Sequence, residues 1–91
     1  MVREIEWTEQ AFTDLRNIAE FTSGDPSSEL RIRMLLDSVE KASDFPRQGV
    51  LVRELPDINI YEIRSGIYRI LFFPSSDMLK VYIVAISHIN E

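Results

Sequence analysis

The chain has 91 residues, of which 45% are apolar and 27% charged, with a formal net charge of -5; that is enough for one domain over 1–91 built on a single two-layer core. The absence of cysteine excludes a disulfide scaffold, a thiolate zinc site and a cysteine nucleophile, and it fits a reducing cytoplasm. The acidic balance argues against nonspecific nucleic-acid binding, whose affinity comes from lysine and arginine neutralising phosphates. That balance is uneven, because residues 1–45 hold ten acidic and five basic side chains whereas 46–91 hold five of each. No apolar run approaches the roughly 18 residues of a membrane span, and the first eight residues are too charged for a signal peptide. A cytoplasmic protein without membrane contact is expected.

Residues 2–7 read as a short strand with Ile5 and Trp7 on one face, Trp7 being a core anchor. Thr8 is placed to N-cap a helix with Glu9 in its first turn, and Ala11, Phe12, Leu15, Ile18, Ala19 and Thr22 form its apolar stripe. Ser23-Gly24-Asp25-Pro26 ends that helix and starts another, with Asp25 as N-cap and Pro26 at the first helical position. The second helix is expected to bury Ile32, Leu35, Leu36, Val39 and Ala42. At about 100° per residue, Leu30 and Met34 fall nearly opposite that face. This second apolar edge either packs on the first helix, stands alone on the surface, or docks a partner.

Phe45-Pro46 ends the second helix, and Arg47-Gln48-Gly49 turns the chain into a third β-rich region over 50–55, cut off by Pro56. The stretch 59–73 reads as a β-hairpin turning at Ser65-Gly66, where glycine tolerates the positive φ of a tight turn. Residues 74–78 form the next turn, and 80–87, nearly continuously apolar, have the pattern of an interior strand covered on both faces. The order is β, α, α and then four strands. This requires an α+β fold of two layers, an N-terminal strand and a helical hairpin packed on a mostly antiparallel sheet.

A two-residue loop at Ser65-Gly66 pairs Ile63 with Tyr68, Tyr61 with Ile70 and Glu62 with Arg69. Alternation then puts Tyr61, Ile63, Tyr68, Ile70 and Phe72 on the core face and Glu62, Arg64 and Arg69 on the other. Those three charges read as an ordinary solvated face with a cross-strand ion pair, or as a site for an anionic ligand. His88, the only histidine, faces Arg69 together with Lys80 and Tyr82 if the turn at 75–78 has four residues, and faces the core if it has five.

Four segments carry a family resemblance. They are Trp7-x3-Ala11-x2-Asp14-Leu15-x2-Ile18, Phe45-Pro46-x2-Gly49, Tyr61-Glu62-Ile63-Arg64-Ser65-Gly66-x-Tyr68-Arg69-Ile70-Leu71-Phe72, and a last strand ending in His88. In order and spacing they resemble the RelE/ParE superfamily, toxins of type II toxin-antitoxin pairs. The resemblance implies a toxin whose partner is a cognate antitoxin, and it leaves the target open. RelE-like and HigB-like members cut mRNA on the ribosome, while ParE-like members inhibit DNA gyrase by binding it.

If this chain is a ribonuclease, it needs a base for the 2'-hydroxyl, a cation for the phosphorane and an acid for the leaving oxygen, with no cofactor or metal. The resemblance then implies that Arg69 and Arg64 clamp the phosphate and that His88 is the general acid. Glu62 stands where RelE has lysine, and it or Glu54 is the base. A ribosome-dependent mRNA endonuclease is the expected activity, with gyrase inhibition as the alternative and a non-toxic binding module as a second alternative. In every case an antitoxin tail that folds on binding is expected to cover the Leu30/Met34 edge or a sheet edge, and a basic tail suits the acidic helical half.

Overall fold

A computed structural model describes residues 3–44, 50–51, 60–77 and 79–89. The elements are β1 (Glu4–Trp7), α1 (Glu9–Phe21), α2 (Ser28–Asp44), β2 (Val50–Leu51), β3 (Tyr61–Ser65), β4 (Tyr68–Pro74) and β5 (Lys80–His88). The strands form one sheet in the order β1-β5-β4-β3-β2. β1 runs parallel to β5, with Ile5 beside Val81 and Trp7 beside Ile83, and every other pairing is antiparallel. β5 is therefore interior to the sheet, flanked by β1 and β4, but among the described residues the helices cover one of its faces and not both.

Both helices lie on one face of the sheet. Ala11 of α1 and Leu35, Val39 and Ala42 of α2 pack on Ile70, Phe72, Val81, Ile83 and Ile86, and Ile5, Trp7, Leu15, Ile18, Tyr61, Ile63 and Tyr68 surround that core. Removing these side chains from water supplies the main stabilising term, about 1.5–3 kcal/mol for each fully buried Leu, Ile, Val or Phe. The Tyr61 and Phe72 rings stack at 6.0 Å beneath the helices.

The helices bury narrower stripes than their periodicity suggests. Phe12, Ala19 and Leu36, expected inside, are exposed; Thr22, expected on the stripe of α1, is buried, and so is Ser43, which was not expected there. Thr22 donates to the Ile18 carbonyl within α1. Ser43 donates to the Arg3 carbonyl, and Arg3 donates from Nη1 to the Ser43 and Asp44 carbonyls. A cation just before β1 thus satisfies the C-terminal end of α2. The α2 helix begins at Ser28 rather than Pro26, because the Asp25 carboxylate captures the Ser27 amide and hydroxyl and closes a separate turn first.

The hairpin register also differs from expectation. The loop is Gly66-Ile67, with Gly66 at φ +59°, and Ser65 pairs with Tyr68, Arg64 with Arg69, Ile63 with Ile70, Glu62 with Leu71 and Tyr61 with Phe72. Glycine takes the first loop position, where positive φ is required. The slip is even, so the faces are unchanged: the apolar set points to the helices and Glu62, Arg64 and Arg69 point away. Of the third β region, Val50 and Leu51 pair with Glu62 and Tyr61; the rest of 50–55, with Glu54, and the segment 45–49 lie outside the described residues.

Candidate functional site

The register between β4 and β5 decides where the functional candidates meet. Phe72 pairs with Ile83, but Leu71 pairs with Ala85, so Val84 has no partner on β4 and forms a bulge. A bulge inserts one residue and reverses the facing of everything beyond it. Before it, Lys80 and Tyr82 lie on the same face as Arg69; after it, His88 pairs with Tyr68 on the helix-bearing face. Neither a four-residue nor a five-residue turn at 75–78 describes this, since each moves Lys80, Tyr82 and His88 together.

Two residues of the α1 region anchor the bulge. The Thr8 hydroxyl lies 2.8 Å from the Ile83 carbonyl and 3.0 Å from that of Val84, while accepting the Ala11 amide at 3.2 Å as N-cap. The Asp14 carboxylate accepts the Ile86 amide at 3.0 Å and Gln10 Nε2 at 2.8 Å. Bulges expose backbone groups that must find partners, and this is the physical reason for an aspartate inside the first helix. The sequence carried the signal, Asp14 within a motif, but not its role.

On the face away from the helices, Glu62 stands between two arginines. Arg69 donates to Glu62 Oε2 from Nε at 2.8 Å and also from Nη2, and Arg64 donates from Nε to Oε1 at 3.1 Å. The Glu62 and Arg69 side chains are 16% and 25% exposed and that of Arg64 is 65% exposed. Burial pushes the Glu62 carboxyl up, but the hydrogen bonds and charges of Arg64 and Arg69 outweigh it and hold the group below the usual glutamate value. Glu62 is ionised at neutral pH, and its oxygens are occupied. On the same face the rings of Phe73 and Tyr82 stack at 4.9 Å, and Lys80 lies 4.0 Å from Glu6.

His88 belongs to a different place. Its ring meets that of Tyr68 edge-on at 6.1 Å, in a cleft of about 370 Å³ shared with Asp14, Asn17, Ile18 and Phe21. Tyr68 also lines a second cleft with Arg31, Met34 and Ile67 beside the hairpin turn. Exposed apolar side chains rim these clefts, Phe21 at 92% and Met34 at 47%, with Leu30 at 57% on the same helix as Met34. The sheet thus brings Glu62, Arg64 and Arg69 together on one face and leaves His88 on the other. No sequence pattern marks the bridging position of Tyr68 or the Phe73/Tyr82 stack, because both arise from pairing between strands.

Among the described residues no group of acidic side chains and histidine is arranged to hold a metal ion, and no helix is long and apolar enough to cross a membrane.

One strand parallel to the last, two helices on one face of the sheet and the charged side chains of its β3-β4 hairpin on the other define a RelE/ParE-like toxin fold. The solved structures it resembles include the toxin-antitoxin complex RelBE2 of Mycobacterium tuberculosis, at TM-score 0.71 and 21% identity, covering 97% of this chain and 99% of that one. They also include the chromosomal ParDE system of P. aeruginosa, at 0.74 and 14% with 97% of each chain covered, and the archaeal RelE-RelB complex of Pyrococcus horikoshii OT3, at 0.71 and 14% with 100% and 99% covered. A search of curated protein sequences finds no match. The family model described as the ParE toxin of type II toxin-antitoxin systems, parDE, matches residues 5–91. The chain belongs to that ParE toxin family.

Proposed function

We propose that this toxin acts by binding, as an inhibitor of DNA gyrase, rather than as an mRNA endonuclease. The observation that carries the reading is the placement of His88 on the helix-bearing face, beside Tyr68, while Arg64 and Arg69 project from the opposite face. General acid catalysis requires the acid within hydrogen-bond reach of the leaving oxygen whose phosphate the cations hold. The arginines, moreover, already neutralise Glu62, which leaves the triad a single net positive charge. The match to the ParE model supports the same choice, and so does a net charge of -5, which repels the phosphates of ribosomal RNA.

The proposed protein partner outside the target is a cognate antitoxin, as the toxin-antitoxin complexes among the similar structures suggest. Its docking site is the helical side, through Leu30 and Met34 and the clefts that meet at Tyr68. An amphipathic, basic segment fits, because apolar rims there adjoin Asp14 and the acidic helices. The toxin works in the cytoplasm, where both candidate targets are found.

Inducing the chain alone in bacteria and pulse-labelling DNA and protein synthesis over the first minutes tests the target. DNA synthesis is expected to stop first, with filamentous cells, and the purified chain is expected to inhibit gyrase supercoiling. Protein synthesis stopping first, with that arrest abolished by Arg69→Ala and by His88→Ala, is the outcome that restores the ribonuclease reading with Arg64, Arg69, His88 and Glu62 in the roles assigned from the sequence.

A further inference from the structure

The sheet face turned away from the helices carries two features in line along β4. Arg69, set opposite Arg64 and bonded to Glu62, lies at one end, and Phe73, stacked on Tyr82, lies four residues on. At about 3.4 Å per residue the two are roughly 14 Å apart, with Leu71 between them on the same face. Among the described residues no helix packs here. Each arginine keeps donors that Glu62 does not use, since Arg64 gives only its Nε and Arg69 its Nε and Nη2. The carboxylate therefore sets the planes of both guanidinium groups while leaving part of each fork free.

We propose that this face is the surface that docks the toxin's target, and that its occupant is a protein segment presenting a carboxylate to Arg64 and Arg69 and an apolar side chain to the Phe73/Tyr82 stack. The inference rests on the binding reading above and specifies the chemistry of the contact. Charge decides between a protein and a nucleic acid. Two guanidinium groups against one carboxylate leave one net positive charge at the triad, and Lys80, the further cation on β5, stands beside Glu4 and Glu6 of β1 and adds none. Polyanion binding of useful strength draws on several cations, about 6–10 phosphate contacts in typical cases, whereas one preorganised arginine fork suffices for one carboxylate. Aromatic side chains and arginine on one exposed face are also the composition of the few residues that dominate protein interfaces.

The test uses the full chain and purified DNA gyrase, reading the concentration that halves supercoiling. Arg64→Glu reverses the charge of the triad at a mostly exposed side chain, Tyr82→Ala removes the stack, and Arg33→Glu makes the same charge change on the exposed face of α2. Both surface variants are expected to lose about tenfold or more in potency, the scale of an interface hot spot, with Arg33→Glu within twofold of the parent and a single-stranded RNA oligonucleotide unable to compete. If Tyr82→Ala fails to melt cooperatively, Arg64→Glu decides alone. A parent chain that inhibits gyrase while Arg64→Glu inhibits equally well overturns the docking surface and leaves the binding reading standing. Equal loss in Arg33→Glu, or displacement of gyrase by the RNA, overturns it too. A parent chain that does not touch gyrase sinks the reading and the inference together.

Discussion

Arg64 and Arg69 stand directly opposite each other across β3 and β4, and Glu62 bonds to both. Like charges at facing positions of a sheet repel, so the carboxylate is what allows the pair to exist. Replacing it by glutamine leaves two guanidinium groups without a counter-charge. At neutral pH Glu62→Gln is expected to destabilise the chain by about 1–2 kcal/mol, since hydrogen bonds to charged groups are worth about 1.5–3 kcal/mol and partial exposure screens them. Urea denaturation of parent and variant measures it.

Because the folded-state pKa of Glu62 lies below its ordinary value of 4.5, its contribution is fully present above about pH 4.5 and is lost as pH falls through the lower folded value. The parent is therefore expected to lose stability on acidification below pH 4.5 more steeply than Glu62→Gln. Melting temperatures taken from pH 7 down to pH 3 for both proteins should converge as the carboxyl protonates; curves that stay parallel contradict the assignment.

Asp14 holds the Ile86 amide just past the bulge. Asp14→Ala strands that donor, at a cost of about 1–3 kcal/mol, and is expected to speed hydrogen exchange of the Ile86 amide more than that of Ile70 on the neighbouring strand. Asp14→Asn keeps an acceptor in place and should cost less. Equal, small effects from both substitutions in exchange and denaturation would mean that water satisfies the bulge as well as the carboxylate does.

Gly66 has open space where a Cβ would stand, nothing lying within 4 Å, but its φ is +59°. A methyl group there meets no neighbour and still costs about 1–2 kcal/mol in backbone strain. Gly66→Ala is expected to lower stability by that amount and Gly66→Asn by less, because asparagine tolerates the left-handed region. Thermal melts of the two variants separate the backbone effect from side-chain packing.

Leu30 and Met34 are exposed on α2. Leu30→Asp and Met34→Asp should therefore change the stability of the free chain by no more than about 0.5 kcal/mol, while weakening binding of the cognate antitoxin about tenfold or more if that edge is its dock. Calorimetric titration with the antitoxin, alongside melting of the free toxin, gives both numbers.

Patterns with a fixed period survived folding. The alternation over 61–72 assigned every hairpin side chain to its face even though the turn formed one residue later than expected, because a shift of the pairing by two preserves parity. The helices, the interior position of β5 and the cap at Thr8 were legible for the same reason, each being a local preference written in neighbouring residues. The depth of burial was not: Phe12 and Leu36 have the right period and face water, since what lies above a helix is decided by elements far away in sequence. The bulge at Val84 is not legible either. No composition signal marks it, and its partners Thr8 and Asp14 come from more than seventy residues earlier. Sequence alone thus determined which residues the two faces of the hairpin present and which family the chain resembles. Tertiary structure alone decided that His88 and the arginines part company, because one extra residue in a strand turns over every side chain beyond it.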